Sequence, residues 1–198
     1  MLAAAILAAG ESRRMGAAKA LLDYSGKTFL EHLIEATRHP RLGFVRVVLG
    51  AKADEIRARV KIDPSFIVVN TDWQQGQLSS IHAVIRSLPP GATDGLMLCP
   101  VDHPGISYEI VTKLIAAFDA TRAPITLPVY QGRRGHPVIF RADLYGELLA
   151  ASPEIGARQV VWAHANEVVE VSTEDQGVVV NIDDPITYRK VFGRDAKS

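Results

Sequence analysis

Short apolar segments alternate with segments of helical spacing along the whole chain, and this alternation constrains the fold most. The first apolar segment, Leu2–Ala9, ends at Gly10, which is typical of a buried strand in a parallel sheet. Thr28–Arg38 has apolar residues at helical spacing, and Thr28 with Glu31 predicts a capping box at its start. Alternation of this kind places helices on both faces of a mainly parallel sheet. We therefore predict an α/β, Rossmann-like, three-layer fold.

The remaining elements follow from the same patterns. Further strands are predicted at Phe44–Leu49, Phe66–Asn70, Gly95–Leu98, Ile125–Tyr130, Val138–Phe140, Val168–Val171 and Val178–Ile182. Further helices are predicted at Asp54–Val60, on the face Ile81, Val84, Ile85 and Leu88, after Ser107, at Asp143–Ala151, at Ala157–His164 and from Asp184-Pro185. The gap between the strands at 125–130 and 138–140 is too short for a crossover helix, so we expect a hairpin and one antiparallel strand. No low-complexity linker interrupts the pattern, which predicts a single domain over residues 1–198.

Composition excludes several classes of partner. Lys plus Arg and Asp plus Glu both number 22, so the net charge is zero, which argues against a protein that coats nucleic acid or an anionic membrane. No apolar stretch approaches the ~18 residues of a membrane span, and the arginines follow the apolar N-terminal run, unlike a signal peptide. A cytoplasmic location is expected. Cys99, the one cysteine, lies in an apolar run and is predicted to be a core residue.

The segment after the first predicted strand carries the strongest chemical signal. It has the sequence LAAGESRRMGAAK over residues 7–19. Ligands of open α/β sheets bind beyond the carboxyl ends of strands, and backbone N–H groups of a loop there can hold phosphates. Glycines at 10 and 16 relieve backbone restrictions, and Arg13, Arg14 and Lys19 add cationic donors for phosphate oxygens. The segment therefore predicts a phosphate-binding loop that matches neither the Walker A nor the dinucleotide-binding spacing.

Carboxylates elsewhere in the chain suggest a metal site beside this loop. Asp102 follows the predicted strand at 95–98, and Mg²⁺ is usually held by one or two carboxylates together with substrate phosphates. Asn181 and Asp183 lie at the end of another predicted strand. One of them is expected to complete the metal site and the other to be structural.

The loop sequence resembles the signature Leu-Ala-Ala-Gly-x-Ser-x-Arg-Met-Gly-x-x-Lys of nucleotidyltransferases, in particular of the molybdenum cofactor cytidylyltransferases in the MobA-like family. Four further segments resemble that branch: Asn70-Thr71-Asp72-Trp73 with Gly76 and Ser79-Ser80, Pro100-Val101-Asp102-His103-Pro104, Arg134-Gly135-His136-Pro137-Val138, and Asn181 to Tyr188. The chain departs from the pattern at His103, where relatives often have Gln or Leu, and at Asn181, where many have Asp. The resemblance implies Mg²⁺-dependent transfer of CMP from CTP to the terminal phosphate of molybdopterin, with release of pyrophosphate.

The resemblance also assigns expected roles to individual residues. The expected catalytic residues are Arg14, Lys19 and Asp102. The acceptor is expected to bind His103, Arg134 and His136, and Mg²⁺ is expected to bind Asp102 together with Asn181 or Asp183. The residues expected to bind the nucleotide are Leu7, Ala8, Ala9, Gly10, Ser12, Arg13, Asn70, Ser79 and Ser80.

Three alternatives remain open at the level of sequence. The base or the acceptor could differ, as with GTP and molybdopterin, an isoprenoid phosphate or a sugar phosphate. The chain could instead be a non-catalytic nucleotide-binding maturation factor for a molybdoenzyme, and either a molybdoenzyme or its chaperone is a conceivable partner. Trp73 could stack on a base or pterin, or simply pack. Ala9 favours CTP, since relatives that use GTP tend to have Leu-Ala-Gly-Gly at this point.

Overall fold

Ten strands and seven α-helices form the fold within residues 1–196, the part of the chain that this computed structural model describes. The strands are β1 (Leu2–Ala8), β2 (Asp23–Tyr24), β3 (Lys27–Thr28), β4 (Leu42–Leu49), β5 (Ile67–Val69), β6 (Gly95–Pro100), β7 (Ile125–Tyr130), β8 (Arg133–Arg134), β9 (Val138–Arg141) and β10 (Val168–Ser172). The helices are α1 (Phe29–Ala36), α2 (Ala53–Arg59), α3 (Gln77–Ser87), α4 (Tyr108–Thr121), α5 (Tyr145–Ala150), α6 (Arg158–Ala163) and α7 (Pro185–Phe192).

The main sheet has the strand order β10-β7-β9-β6-β1-β4-β5, with β8 added to β7. Neighbouring strands are parallel except β9, which runs antiparallel to both β6 and β7, and the short β8, which is antiparallel to β7. The predicted mostly parallel sheet with an antiparallel strand between residues 138 and 140 is therefore confirmed. From β1 the chain moves first towards β4 and only later places β6 on the other side. This reversal leaves a crevice at the carboxyl ends of β1 and β6.

Strand β1 lies at the centre of the three layers because both of its faces are apolar. Leu2, Ala4 and Ile6 face one core, which is completed by α1, α2, α4 and α7. The alternate residues of β1 face a second core, which is formed with α3, α5 and α6.

The predicted capping box is present, since Thr28 Oγ1 accepts from Glu31 N and Glu31 Oε2 accepts from Thr28 N. The predicted core position of Cys99 is also confirmed, since its side chain is fully buried.

No helix within the described part of the chain combines the length and the apolar character needed to cross a bilayer.

The strand predicted at Val178–Ile182 is wrong. These residues form a 3-10 turn (Gln176–Val179) and then an irregular segment that pairs with no strand. Their backbone groups instead bond to two separate loops: Val178 O accepts from His136 N at 2.8 Å, and Ile182 N donates to Asp102 O at 2.8 Å. Val178 and Ile182 are fully buried, so the apolar pattern marks a segment that packs across the ends of the strands.

Three glycines allow this segment to pack so closely. A Cβ at Gly135 would lie 2.3 Å from Val178 O, and a Cβ at Gly105 would lie 2.5 Å from the Cα of Gly177. These separations are far below van der Waals contact, and the opposing atoms belong to the backbone. A larger residue at either loop would therefore push the segment 176–183 away from the sheet.

This packing predicts a cost for a single added methyl group. We expect Gly135→Ala to lower the free energy of unfolding by about 1–3 kcal/mol, because backbone atoms cannot rotate out of the way as a side chain can. The matched control is Gly146→Ala in α5, where a Cβ meets no atom within 4 Å. Gly146→Ala should be neutral or more stable by about 0.5–1 kcal/mol. Urea unfolding of both variants measures the difference, and equal stability of the two would contradict the close packing at Gly135.

Candidate functional site

A cavity of about 310 Å³ opens at the carboxyl ends of β1 and β6. It lies where the reversal of strand order leaves a crevice, the usual ligand position in an open α/β sheet. Eleven of the residues predicted from sequence to form the site line this cavity: Leu7, Ala8, Ala9, Gly10, Ser12, Arg13, Arg14, Lys19, Ser80, Asp102 and Asp183.

The loop after β1 folds around Ser12. Its backbone φ of 58° is in the left-handed region, and its carbonyl accepts hydrogen bonds from Met15 N and Gly16 N. The Ser12 hydroxyl also accepts from Lys19 N at 3.1 Å. Gly16, with φ of 75°, completes the turn. These bonds fix the path of the loop and hold Lys19 at its far end, with its side chain turned into the cavity.

Four charged groups converge at the end of this loop. Lys19 Nζ lies 2.6 Å from Asp183 Oδ1 and 3.3 Å from Asp102 Oδ2. Arg14 Nη2 lies 3.1 Å from Asp183 Oδ2, and Asn181 Nδ2 donates to the same oxygen at 3.2 Å. Burial alone would raise the pKa of Asp183, but the hydrogen bond from Lys19 and the charges of Lys19 and Arg14 outweigh it, so the pKa is lowered. The Asp183 carboxyl group is therefore ionised at neutral pH.

The segment 176–183 explains how Asp183 reaches this position. The Ile182 N–H bonds to the Asp102 carbonyl, so the residues following β6 and preceding α7 run side by side. The predicted strand before these residues is absent, so Asn181 and Asp183 are positioned by an irregular segment. Asp183 faces Lys19, whereas Asn181 is exposed and reaches the cluster through Asp183. Asp184 caps α7 by accepting from Thr187 N, as the sequence suggests.

The donor set fits a hard divalent cation. Asp102 and Asp183 bring two carboxylates to one ammonium group, and Mg²⁺ or Mn²⁺ takes such oxygen ligands together with substrate phosphates and water. No group of three His, Cys, Asp or Glu side chains with metal-binding geometry occurs among residues 1–196. Further ligands would therefore have to come from substrate and solvent.

The other wall of the cavity is formed by Trp73, Gly76, Gln77 and Ser80, around the start of α3. Asn70 supports this wall and does not line the cavity: its Nδ2 donates to Ser79 Oγ at 2.8 Å and to Ser80 Oγ at 3.0 Å. Sequence reasoning missed Gln77 as a lining residue. The signal available was its place at the first turn of a helix, directly after Gly76.

The predicted acceptor residues separate into two groups. His103 and His136 lie together, with ring centroids 4.5 Å apart, and the Nδ1 atom of each is buried and finds no partner within the described chain. Burial, with a smaller contribution from His103, lowers the pKa of His136 to about 3, so its imidazole is neutral at physiological pH. Arg134 is exposed, pairs with Glu170 at 2.7 Å and does not line the cavity. The structure therefore brings His136 near the site and leaves Arg134 outside it.

The sequence of the MobA-like NTP transferase domain matches residues 4–168 of this chain, from β1 to the start of β10. The chain belongs to the MobA-like NTP transferase family. The match includes the loop after β1 and Asp102, and it ends before Asp183.

Two relatives and one solved structure illustrate the range of this family. Nicotine blue oxidoreductase of Paenarthrobacter nicotinovorans is 33% identical over 87% of this chain and 88% of its own length. Molybdenum cofactor guanylyltransferase of Shewanella sp. (strain ANA-3) is 27% identical over 92% of this chain and 90% of its own length. The manganese complex of Rv0371c from Mycobacterium tuberculosis H37Rv superimposes with a TM-score of 0.80 and 26% identity, covering 97% of this chain and 98% of the other.

The charged cluster predicts a pH-dependent role for Lys19 in stability. Lys19→Met leaves two partly buried carboxylates without their shared ammonium group, and we expect a loss of about 1–3 kcal/mol at neutral pH. In the parent protein the pKa of Asp183 is lowered on folding, so this carboxylate stabilises the fold at neutral pH and the benefit is lost as the pH falls through the folded pKa. Without Lys19, Asp183 loses the stronger of the two cationic interactions that lower its pKa, so the deficit of the variant should shrink as the pH falls towards about 4.

Denaturant unfolding at several pH values measures this deficit. Lys27→Met is the matched control, because the pair between Lys27 and Glu35 is exposed and should contribute little. A deficit of Lys19→Met that is independent of pH would show that the loss comes from packing and not from charge.

Proposed function

We propose that this protein transfers a nucleotidyl group from a nucleoside triphosphate to a phosphorylated acceptor. The observation that carries the proposal is the convergence of Lys19, Asp102, Asp183 and Arg14 at the end of the loop after β1. Phosphoryl and nucleotidyl transfers require little covalent chemistry from a protein, and they depend on alignment and on neutralisation of charge. A cluster of this composition supplies both.

The balance of charge within the cluster favours a divalent cation as cofactor. Two cations and two carboxylates cancel, so the cluster by itself offers a triphosphate no net positive charge. A divalent cation held by Asp102 and Asp183, most simply Mg²⁺, would supply that charge. Lys19 and Arg14 are then available to the phosphate oxygens. The solved structure of Rv0371c is a complex with manganese, which supports a divalent ion as the cofactor.

The proposed reaction is a single displacement at phosphorus. An oxygen of the acceptor's terminal phosphate forms a bond to the α-phosphorus, and the bond from the α-phosphorus to the oxygen that bridges to the β-phosphate breaks. Pyrophosphate leaves with the electron pair. Lys19 and Arg14 stabilise the charge that develops on the leaving group, and no general base is needed because the attacking phosphate is already anionic.

For the nucleotide we propose CTP. Ala9 is 4% exposed and lies against Gly50 and Trp73 in the wall of the cavity. Its methyl group narrows the space above the loop, which suits a one-ring base better than a purine. The guanylyltransferase among the relatives makes GTP the main competitor.

For the acceptor we propose a molybdopterin-type compound that carries a terminal phosphate. The motif resemblance and the relative named molybdenum cofactor guanylyltransferase support this choice. A molybdoenzyme or its chaperone would then be the recipient of the product. Release of pyrophosphate from CTP in the presence of Mg²⁺ and purified molybdopterin tests the proposal, and nucleotide binding without pyrophosphate release under those conditions would favour a non-catalytic maturation factor.

Substitutions in the charged cluster should lower the rate without unfolding the protein. We expect Asp102→Asn, Lys19→Ala and Arg14→Ala each to reduce kcat by about 10²–10³-fold, because each removes a charge placed for the transition state. Arg189→Ala is the matched control for Arg14, because the Arg189 side chain on α7 is 68% exposed, pairs with Asp195 and does not line the cavity. Its loss should have a much smaller effect on kcat. Similar kinetics for Arg189→Ala and Arg14→Ala would contradict the role given to Arg14.

The proposed base preference is tested at Ala9. We expect the parent protein to prefer CTP over GTP and Ala9→Gly to relax the preference without necessarily reversing it. Discrimination by the volume of one methyl group is worth about 1–3 kcal/mol, so the effect on the ratio of kcat/KM values should be about 10–200-fold at most. Equal use of CTP and GTP by the parent protein would contradict the proposed preference for CTP. It would not contradict the proposal that the protein transfers a nucleotidyl group.

A further inference from the structure

His164 caps the carboxyl end of α6, and its imidazole lies between two carboxylates. The Nε2 atom is 3.0 Å from both carboxylate oxygens of Glu147 on α5, and the Nδ1 atom is 2.9 Å from Glu167 Oε1 in the 3-10 turn that follows (Ala165–Glu167). A neutral imidazole has one N–H, so it can donate to only one carboxylate and would turn a nitrogen lone pair towards the other. An imidazolium donates to both. The geometry therefore favours the protonated ring.

The charged groups around this ring also favour the protonated form. Hydrogen bonds to Glu167 and Glu147 raise the pKa of His164 above its ordinary value of 6.5. Asp143, which precedes α5, pairs with Arg141 at 2.6 Å; this pairing lowers the pKa of Asp143, and the charge of His164 contributes a smaller part. Three carboxylates and one guanidinium therefore face the imidazole. A positive charge at the carboxyl end of a helix is itself favourable.

His164 supplies the side-chain hydrogen bond that joins α5 to the α6 segment, which we define as residues 152–164. The hydrogen bonds described for residues 152–161 stay within that segment: Ser152 N donates to Gln159 Oε1 at 2.8 Å, and Gly156 N donates to Ser152 O at 2.7 Å. Of the six residues of α6 only Val160 is buried, and a helix this short is marginal without support from its surroundings. The contact between His164 and Glu147 is therefore a main attachment of α6 to α5.

The α6 segment also forms one wall of a cavity of about 340 Å³ beside the candidate site. Six of the residues that line this cavity lie between positions 153 and 161, among them Ile155 and Val161. Leu7 and Gln77 line both this cavity and the one that contains the charged cluster. A movement of α6 away from α5 would therefore widen a space that borders the candidate site.

We propose that His164 is a pH-sensitive clasp: as an imidazolium it holds the end of α6 against α5 and keeps this wall in place, and its deprotonation releases the wall. A group whose pKa is raised on folding stabilises the folded arrangement below its unfolded pKa, and this contribution is lost as the pH rises through the folded pKa. The α6 segment should therefore be held most firmly in mildly acidic solution and should loosen in mildly basic solution. No step of this inference depends on the proposed reaction.

Amide hydrogen exchange of the full chain tests the clasp, with mass spectrometry of peptides that cover residues 152–164. Each exchange rate is divided by the intrinsic rate at the same pH, so that the comparison reports only the opening of the structure. We expect the protection of α6 to fall by about three- to tenfold between pH 6 and pH 9, as the loss of two partly exposed ion pairs implies. Peptides from α4 should keep their protection over this range.

Two variants remove the clasp, and a third is the matched control. His164→Gln keeps an amide donor but does not titrate, and Glu147→Gln removes the carboxylate on α5, so both should weaken the pH dependence of the exchange. Glu154→Gln changes a carboxylate of the same segment that bonds to Ser152 and not to His164, so it should behave as the parent protein. NMR titration of the His164 ring should give a pKa above 6.5 that falls in Glu147→Gln and is unchanged in Glu154→Gln.

The inference would be overturned by protection that falls equally with pH in the parent protein and in His164→Gln. A His164 ring that titrates at or below 6.5, or a pH dependence that is lost in Glu154→Gln, would overturn it as well. The His164 and Glu147 side chains are 21% and 47% exposed, so both substitutions should be compatible with the fold, and thermal unfolding at pH 6 checks this for each variant.

Discussion

The ammonium group of Lys19 joins three parts of the chain that are far apart in sequence. It bonds to Asp102 after β6 and to Asp183 before α7, while its own position is fixed by the hydrogen bond from its backbone N–H to Ser12. Each of these parts has a separate structural reason to be where it is: a tight turn, the end of a buried strand, and a segment packed against glycine backbones. The arrangement of the candidate site depends on all three parts of the chain. A substitution that moves any one of them should therefore displace the charged side chains of the cluster.

The sequence predicts the central architecture well, and the reason is physical. Elements whose apolar pattern is decided by burial on a sheet, such as β1, β7 and the capped α1, appear within a few residues of their predicted bounds. The strand predicted at Val178–Ile182 is absent, because a run of apolar residues indicates burial but not the partners that satisfy the backbone hydrogen bonds. Here the partners are the loops at Asp102 and His136, which no local pattern could reveal. The hairpin of β2 and β3 was not predicted, although Ser25 and Gly26 both have the positive φ of a tight hairpin turn.

The candidate site shows the same division between local and long-range information. The loop from Leu7 to Lys19 forms one wall of the cavity, because a motif contiguous in sequence must be contiguous in space. Arg134 and His136 are two residues apart, yet only His136 turns towards the site while Arg134 pairs with Glu170 on the exposed side of β8. Asn70 is a support for Ser79 and Ser80 and not a lining residue, and that distinction depends on a turn geometry that residue identity does not encode.

The two relatives named above show why the site, and not the fold, has to carry the functional argument. One bears the name of an oxidoreductase and the other that of a guanylyltransferase, although both align over nearly their whole length with this chain. A fold that supports different reactions leaves the chemistry to particular side chains. In this chain the cavity at the carboxyl ends of β1 and β6 brings two carboxylates and two cations to the end of a phosphate-type loop. The reaction proposed here therefore depends on the charged cluster, and the surrounding architecture serves to hold its four side chains together.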